Sequence, residues 1–287
     1  MKKLILVLLQ IALVACSSTS EQSTTTSEGG NEPLPQIENE APAARQAKAE
    51  VPAESEARVA PVSVPSSMYS SLNDAIKNQN DDTIQRFSTE ILTQNPKDVR
   101  ALNAMALVYY KKGRMDAAQF LFNKAIAANP TSSELHSNLG LVYLAKNERR
   151  EALKSFRKAL EINSRDHIAA ANAGSIYAQE KDYNKAALAL EIPIKRGTKD
   201  VKILNNYANA LVATGRVKEA AEIFEKIIKD NPSNREAMLN HAILLIENMQ
   251  KNKEGLDLLN RLKFVGAPQD SRELIKSLEN KAKAGLQ

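Results

Sequence analysis

The sequence predicts an all-α protein built as a superhelical solenoid of antiparallel helix pairs. Its 287 residues include no Trp, 5% aromatic residues and 43% hydrophobic residues, and Ala and Leu recur throughout. This composition suits packed helices better than a β-sandwich or a barrel. In addition, one residue pattern returns every 34 residues through most of the chain. A fixed period of this length indicates stacked units, each of which is one helix pair.

The first 15 residues are predicted to be a signal peptide. Lys2 and Lys3 give a positive start, and an apolar run extends from Leu4 to Val14. The run is shorter than the about 20 residues needed to span a bilayer, but it has the length of a signal-peptide core. It ends in Leu-Val-Ala-Cys, residues 13–16. This ending resembles the lipobox of bacterial lipoproteins, and the alternative is an ordinary secretory signal with an incidental cysteine.

The lipobox resemblance implies that Cys16 is cleaved at its amino side and receives a covalent lipid. Cys16 is the only cysteine, so no disulfide can form within the chain. Two or three acyl chains would give stable attachment to a membrane. Because Ser17 follows the cysteine instead of an Asp, the same resemblance implies a lipid anchor in the bacterial outer membrane, with the protein on its periplasmic face.

Residues 16–64 are predicted to be the lipidated N-terminus and a disordered tether. The segment is rich in Ser, Thr, Glu, Pro and Ala, and its large aliphatic residues are isolated. Such a chain cannot bury enough apolar surface to offset its ordering entropy. A reach of roughly 35–40 Å follows for a flexible linker of this length. The alternative function for this segment is a partner-binding linear motif.

The repeat is plainest in four consecutive units that share two small-residue patterns. The first pattern occurs as Leu102-x-x-Met105-Ala106-x-x-Tyr109, His136-x-x-Leu139-Gly140-x-x-Tyr143, Ala170-x-x-Ala173-Gly174-x-x-Tyr177 and Leu204-x-x-Tyr207-Ala208-x-x-Leu211. The second occurs as Ala118-x-x-x-Phe122, Ala152-x-x-x-Phe156, Ala186-x-x-x-Leu190 and Ala220-x-x-x-Phe224. The small residues let two helix backbones approach, and the larger ones fill the space between helices.

These patterns resemble the tetratricopeptide repeat (TPR), which has the same residue types at the same spacing and period. The resemblance implies a TPR solenoid over residues 65–268, with a capping helix in 269–287. The six predicted units are 65–98, 99–132, 133–166, 167–200, 201–234 and 235–268. The last unit needs one inserted residue near Gln250–Asn252 to stay in phase.

Pro193 departs from the pattern, because it falls inside the second helix of the fourth unit. A proline there removes a backbone hydrogen bond and costs about 3 kcal/mol or more. We therefore predict a kinked or shortened helix that ends at Arg196-Gly197, with a local change of curvature. This feature either shapes a binding surface or is tolerated drift.

No pattern in the sequence indicates catalysis, so the protein is predicted not to be an enzyme and to need no cofactor. His136 and His241 occupy core slots of the repeat, and His167 starts a helix, so no histidine has metal-ligand spacing. Phosphate loops and nucleophile motifs are absent. The net charge of +5 comes from interleaved charges of both signs, which either form a solvated surface or include a basic patch. Neither nucleic acid nor a small-molecule substrate is expected.

In TPR proteins the first helices line a groove that holds peptides or partner helices. The positions that would face this groove are Arg100, Asn103, Leu107, Tyr110, Ser137, Leu141, Leu144, Ala171, Ser175, Asn205, Asn209, Val212, Leu239 and Ile246. Asn amides there either bond to an extended peptide backbone or are merely tolerated polar residues. Asn205, Asn209 and Asn240 loosely match the carboxylate clamp of some TPR domains. The lysine expected at the position of Asn205 is missing, so recognition of chaperone tails is not predicted.

The plan as a whole resembles that of lipidated TPR proteins of the bacterial envelope, among them type IV pilus pilotins and gliding-motility lipoproteins. The run Lys253–Arg261 is most similar to the gliding-motility group. The resemblance implies a membrane-anchored scaffold that binds protein or peptide partners during assembly of a motility or pilus-like machine. The alternative is an adaptor that docks peptidoglycan hydrolases or synthases.

Overall fold

The computed structural model describes residues 63–287. The predicted signal peptide, Cys16 and nearly all of the predicted tether therefore lie outside the described residues. Every regular element between residues 63 and 287 is a helix, which confirms the predicted all-α fold class.

Six helix pairs follow one another in the described part of the chain, and a single helix closes the stack. The pairs are α1 (Ser66–Lys77) with α2 (Asp81–Gln94), α3 (Val99–Lys111) with α4 (Met115–Ala128), α5 (Ser133–Ala145) with α6 (Arg149–Ile162), α7 (His167–Gln179) with α8 (Tyr183–Lys195), α9 (Val201–Ala213) with α10 (Val217–Asp230), and α11 (Arg235–Ile243) with α12 (Asn252–Val265). The closing helix is α13 (Arg272–Ala284).

Polar caps repeat with the same period and set where the first helices begin. Asp98, Ser132, Asp166 and Asp200 each accept a hydrogen bond from a backbone N–H two or three residues further on. These side chains satisfy amides that have no partner within the helix. The turn inside each of the first five pairs contains a residue with positive φ, at 34-residue steps: Gln79, Gly113, Asn147, Lys181 and Gly215.

Large side chains from the second helices fill the space between the helices of each pair. Phe122, Phe156 and Phe224 are completely buried, and Leu190 occupies the same slot in the fourth pair. A Cβ atom added to Gly140 would lie 2.5 Å from the Phe156 ring. The glycine on α5 is therefore what allows this ring to lie against the backbone.

The last unit accommodates its extra residue inside its first helix. The predicted position of this inserted residue, near Gln250–Asn252, is therefore wrong. A π-helical segment, Leu244–Asn248, continues α11, and Met249 N–H donates to Leu244 O at 3.1 Å. A π-turn holds one more residue than an α-turn. As a result the positive-φ residue of this pair is Gln250, 35 residues after Gly215.

Helix α8 is shortened, as the sequence predicts. It contains 13 residues, whereas α6 and α10 contain 14. The helix passes through the buried Pro193 without interruption and ends at Lys195. Gly197, with φ of 78°, then donates its N–H to Ile194 O at 2.8 Å. Glycine adopts this left-handed conformation at no steric cost, so it closes the helix early.

Candidate functional site

The first helices of successive pairs lie side by side and form one continuous surface, which we call the groove face. Contacts join α3 to α5, α5 to α7 and α7 to α9. Side chains also cross between these helices, since Asn103 donates to Glu134 Oε1 at 2.9 Å and Asn138 donates to Asn103 Oδ1 at 3.1 Å. The groove face is therefore a polar surface shared by neighbouring units.

Ten of the predicted groove residues have accessible side chains on this face. Arg100 is exposed and lies over the ring of Tyr69, with its guanidinium carbon 5.5 Å from the ring centre. The other nine are partly exposed: Asn103, Leu107, Tyr110, Leu141, Leu144, Ala171, Ser175, Asn209 and Val212. They combine apolar and hydrogen-bonding surface, as a protein-binding face requires.

The remaining four predicted groove residues belong to the interior. Ser137, Asn205, Leu239 and Ile246 are each less than 10% exposed, so a partner cannot reach them in this arrangement. Ile246 lies on the π-helical segment and packs against Gly255 of α12. Ser137 on α5 and Asn205 on α9 are buried, and the Ser137 hydroxyl and Asn205 Oδ1 have no hydrogen-bond partner among the described residues.

The structure adds a row of four amides, of which the sequence analysis had singled out only Asn240. Asn138, Asn172, Asn206 and Asn240 occupy one slot of four consecutive first helices, one residue after the slot of Ser137 and Asn205. All four are partly exposed. Asn206 donates to Ser175 Oγ at 3.3 Å, and Asn172 donates to Ile168 O at 2.8 Å. The strict 34-residue spacing of these asparagines could have identified the row from the sequence.

A cavity of about 660 Å³ opens on the groove face where α8 ends early. Its walls come from the start of α7, the end of α8 and the start of α9, and they include Ala171, Asn172, Ser175 and Pro193. Since Pro193 and Gly197 both line this cavity, the shortened helix contributes directly to its shape. The departure from the repeat pattern thus coincides with a concave part of the groove face.

The lining of this cavity carries more positive than negative groups. Arg196 Nη1 donates to His167 Nδ1 at 2.7 Å, and Lys202 also lines the cavity. The carboxylate on the wall, Asp200, already accepts from the backbone N–H of Lys202 at 2.8 Å and caps α9. The cavity can therefore accept a polar or anionic side chain beside its apolar surface.

Between residues 63 and 287 we find no group of three His, Cys, Asp or Glu side chains arranged to hold a metal ion. No helix in the same range has the length and apolar character needed to cross a bilayer.

Comparison with known proteins identifies the family. The tetratricopeptide-repeat family model matches residues 63–233, and a second model of the same repeat matches residues 206–271. These matches cover most of the chain, so this protein belongs to the tetratricopeptide-repeat proteins, whose repeats bind protein or peptide partners. No curated protein sequence matches the chain.

Solved structures share the fold at low sequence identity. YrrB, described as a TPR protein with an unusual peptide-binding site, has a TM-score of 0.60 and 17% identity, covering 67% of this chain and 97% of its own. A tetratricopeptide-repeat protein from Parabacteroides merdae has a TM-score of 0.51 and 15% identity, covering 76% and 98%. A point mutant of MamA has a TM-score of 0.53 and 18% identity, covering 58% and 97%.

Proposed function

We propose that this protein is a non-catalytic scaffold that binds an extended segment of a partner protein along the groove face. The observation that carries the proposal is the row of Asn138, Asn172, Asn206 and Asn240 on successive first helices. An amide side chain offers a donor and an acceptor, as the peptide backbone does. A row with the period of the repeat can therefore bond to a backbone that runs across several units.

The apolar residues beside this row would provide contact area for the bound segment. Leu107, Leu141 and Val212 are partly exposed there, and the cavity beside Pro193 would accept a single side chain. The peptide-binding site named for YrrB lies in a protein of the same fold and supports a peptide ligand here. Backbone bonds would give affinity, and the cavity would give selectivity.

Replacing Asn138, Asn172 and Asn206 together by alanine is expected to weaken partner binding about 100-fold, because each lost hydrogen bond contributes roughly 1 kcal/mol. The partner segment is first obtained by crosslinking in whole cells, and its dissociation constant is then measured by calorimetry. The matched control changes Asn123, Asn184 and Asn260, which are exposed on second helices, to alanine. Equal affinities for the two triple variants would contradict binding through the amide row.

We further propose that the scaffold serves the assembly of an envelope machine of the motility or type IV pilus kind, while anchored by a lipid on Cys16 at the periplasmic face of the outer membrane. The support is the lipobox ending at residues 13–16 and the resemblance to lipidated TPR proteins of the envelope. Co-purification of motility, secretin or pilus components from native membranes is the expected result. Co-purification of peptidoglycan hydrolases or synthases would instead favour the adaptor function.

The anchor has its own test. Changing Cys16 to alanine removes the thiol that the lipid would occupy, so the protein is expected to move from the membrane to the soluble fraction. Fractionation of cells followed by immunodetection measures this shift. Membrane fractionation that stays unchanged even after a high-salt wash, which releases proteins held by charge, would contradict lipidation as the attachment, and it would leave groove binding unaffected.

A further inference from the structure

The outer face of three consecutive second helices carries two projecting apolar side chains. Phe120 on α4 is 66% exposed and Leu188 on α8 is 70% exposed. Both occupy the same slot of the repeat, and Lys154 fills that slot on α6 between them. Each of the two apolar side chains is exposed singly, and what links them is their equivalent position in the repeat.

Four cations on two of these second helices have no carboxylate partner within ion-pair distance among the described residues. They are Lys124 on α4 and Arg150, Lys154 and Arg157 on α6. Most neighbouring carboxylates are already paired, since Asp116 lies 3.0 Å from Lys146, Glu161 lies 3.2 Å from Lys158 and Glu191 lies 2.9 Å from Lys195. Glu151 is the exception on α6. The surface therefore has uncompensated positive charge.

The 34-residue period places Phe120, Lys154 and Leu188 at equivalent positions of three neighbouring second helices. One depression between α4 and α6 is lined by Asn123 of α4 and by charged side chains of α6. The α6 residues are the cations Lys154, Arg157 and Lys158 and the carboxylates Glu151 and Glu161. Further along, the pKa of Lys185 on α8 is raised chiefly by its hydrogen bond to Asp182, and the nearby charge of Arg157 opposes this rise. We call Phe120, Lys124, Arg150, Lys154, Arg157 and Leu188 the outer patch.

We propose that the outer patch binds the anionic headgroup surface of a membrane. Phe120 and Leu188 are two repeat units apart, so a protein partner would need two pockets at that spacing, whereas a bilayer interface accepts apolar side chains at any spacing. Unpaired Lys and Arg side chains are attracted to anionic lipid, and each adds to the binding. This contact does not depend on the lipid proposed for Cys16.

The outer patch lies on second helices, whereas the groove face is formed by first helices. Membrane contact through the patch therefore leaves the groove face open for a partner protein. A lipid chain alone would hold the body near the membrane in any orientation, and the patch would select one. The acyl chains on Cys16 would hold the protein at the membrane, and the patch would add a second contact to it.

The test uses the chain from residue 16 onward with Cys16→Ser, so that no lipid is attached. It is mixed with vesicles of phosphatidylglycerol and phosphatidylcholine in equal parts, and bound protein is measured by flotation. Binding is expected to fall about 100-fold when Arg150, Lys154 and Arg157 are all changed to glutamine, since three cations are lost. Changing Phe120 and Leu188 to serine is expected to lower binding about tenfold.

The matched control changes Lys218, Lys226 and Lys229, exposed cations of α10, to glutamine and keeps the total charge equal to that of the α6 variant. Strong binding by this control, and weak binding of the parent chain to pure phosphatidylcholine, would support the proposal. An equal loss in both triple variants would overturn it, because net charge alone would then explain binding. It would also be overturned if the chain ignored anionic vesicles but bound polyglutamate through Arg150, Lys154 and Arg157, which would assign the patch to an acidic protein.

Discussion

Changing Phe156 to alanine is expected to lower the free energy of unfolding by about 3–5 kcal/mol, the cost of removing a large aromatic side chain from a packed core. The ring is completely buried and lies against the backbone of Gly140. No side chain at position 140 can move in to fill the space, because a glycine has none. Urea unfolding followed by far-UV circular dichroism measures the change.

The same substitution at Phe264 is the control, because that ring is 94% exposed. It is expected to change the free energy of unfolding by less than about 0.5 kcal/mol. A loss at position 156 no greater than the loss at position 264 would contradict the packing described for α5 and α6. An additional effect is expected from the repeat architecture: weakening a central pair reduces the coupling between its neighbours and broadens the unfolding transition.

Most of the fold could be predicted because each unit repeats the same sequence pattern. One period relates the small residues, the second-helix aromatics and the closing turns. A position that is ambiguous in one unit can therefore be assigned from the equivalent positions of the other units. The misplaced insertion shows the limit of this reasoning. Counting residues locates the change of phase between Ala242 and Gly255, but the hydrogen bonding of the π-helical segment decides which residue is extra.

The groove residues were harder to predict, because adjacent positions on a helix differ by about 100° in direction. Asn205 and Asn206 are neighbours in sequence, yet the first is buried and the second reaches Ser175 of the preceding first helix. Which of them faces out depends on how closely α7 and α9 pack. Within the preceding pair, Gly174 lets α8 lie close to α7, since a Cβ atom there would lie 2.5 Å from Leu190 of α8. The spacing identifies which side of each first helix belongs to the groove face. Which residues at the edge of that face are exposed depends on how the neighbouring helices pack.

His241 is a polar residue at a core position of the repeat. It occupies the slot that Leu139 fills in the third pair, and it is only 6% exposed. Its ring stacks on Phe224 with 6.0 Å between ring centres, and its Nε2 atom has no hydrogen-bond partner among the described residues. Burial lowers the pKa of His241, and the nearby carboxylates of Glu225 and Glu254 only partly oppose this effect.

Changing His241 to leucine is therefore expected to raise the free energy of unfolding by about 1–3 kcal/mol, because an unsatisfied buried polar atom is removed. The gain should grow in acid. Below the ordinary histidine pKa of about 6.5 the unfolded chain binds a proton that the folded protein excludes, so the parent protein loses stability as pH falls towards the lowered pKa. The leucine variant lacks this loss, and above about pH 7.5 the difference between the two proteins should be constant.

The reciprocal change, Leu139→His, places the same defect in the third pair and is expected to lower stability and to introduce acid sensitivity there. Urea unfolding of the three proteins from acid to neutral pH measures both effects. If His241→Leu lowered stability at every pH, the histidine would have a hydrogen bond that the buried Nε2 lacks in this structure. Such a result would mean that the last pair, with its π-helical segment and the depression beside His241, is held together by a polar contact and not by apolar packing alone.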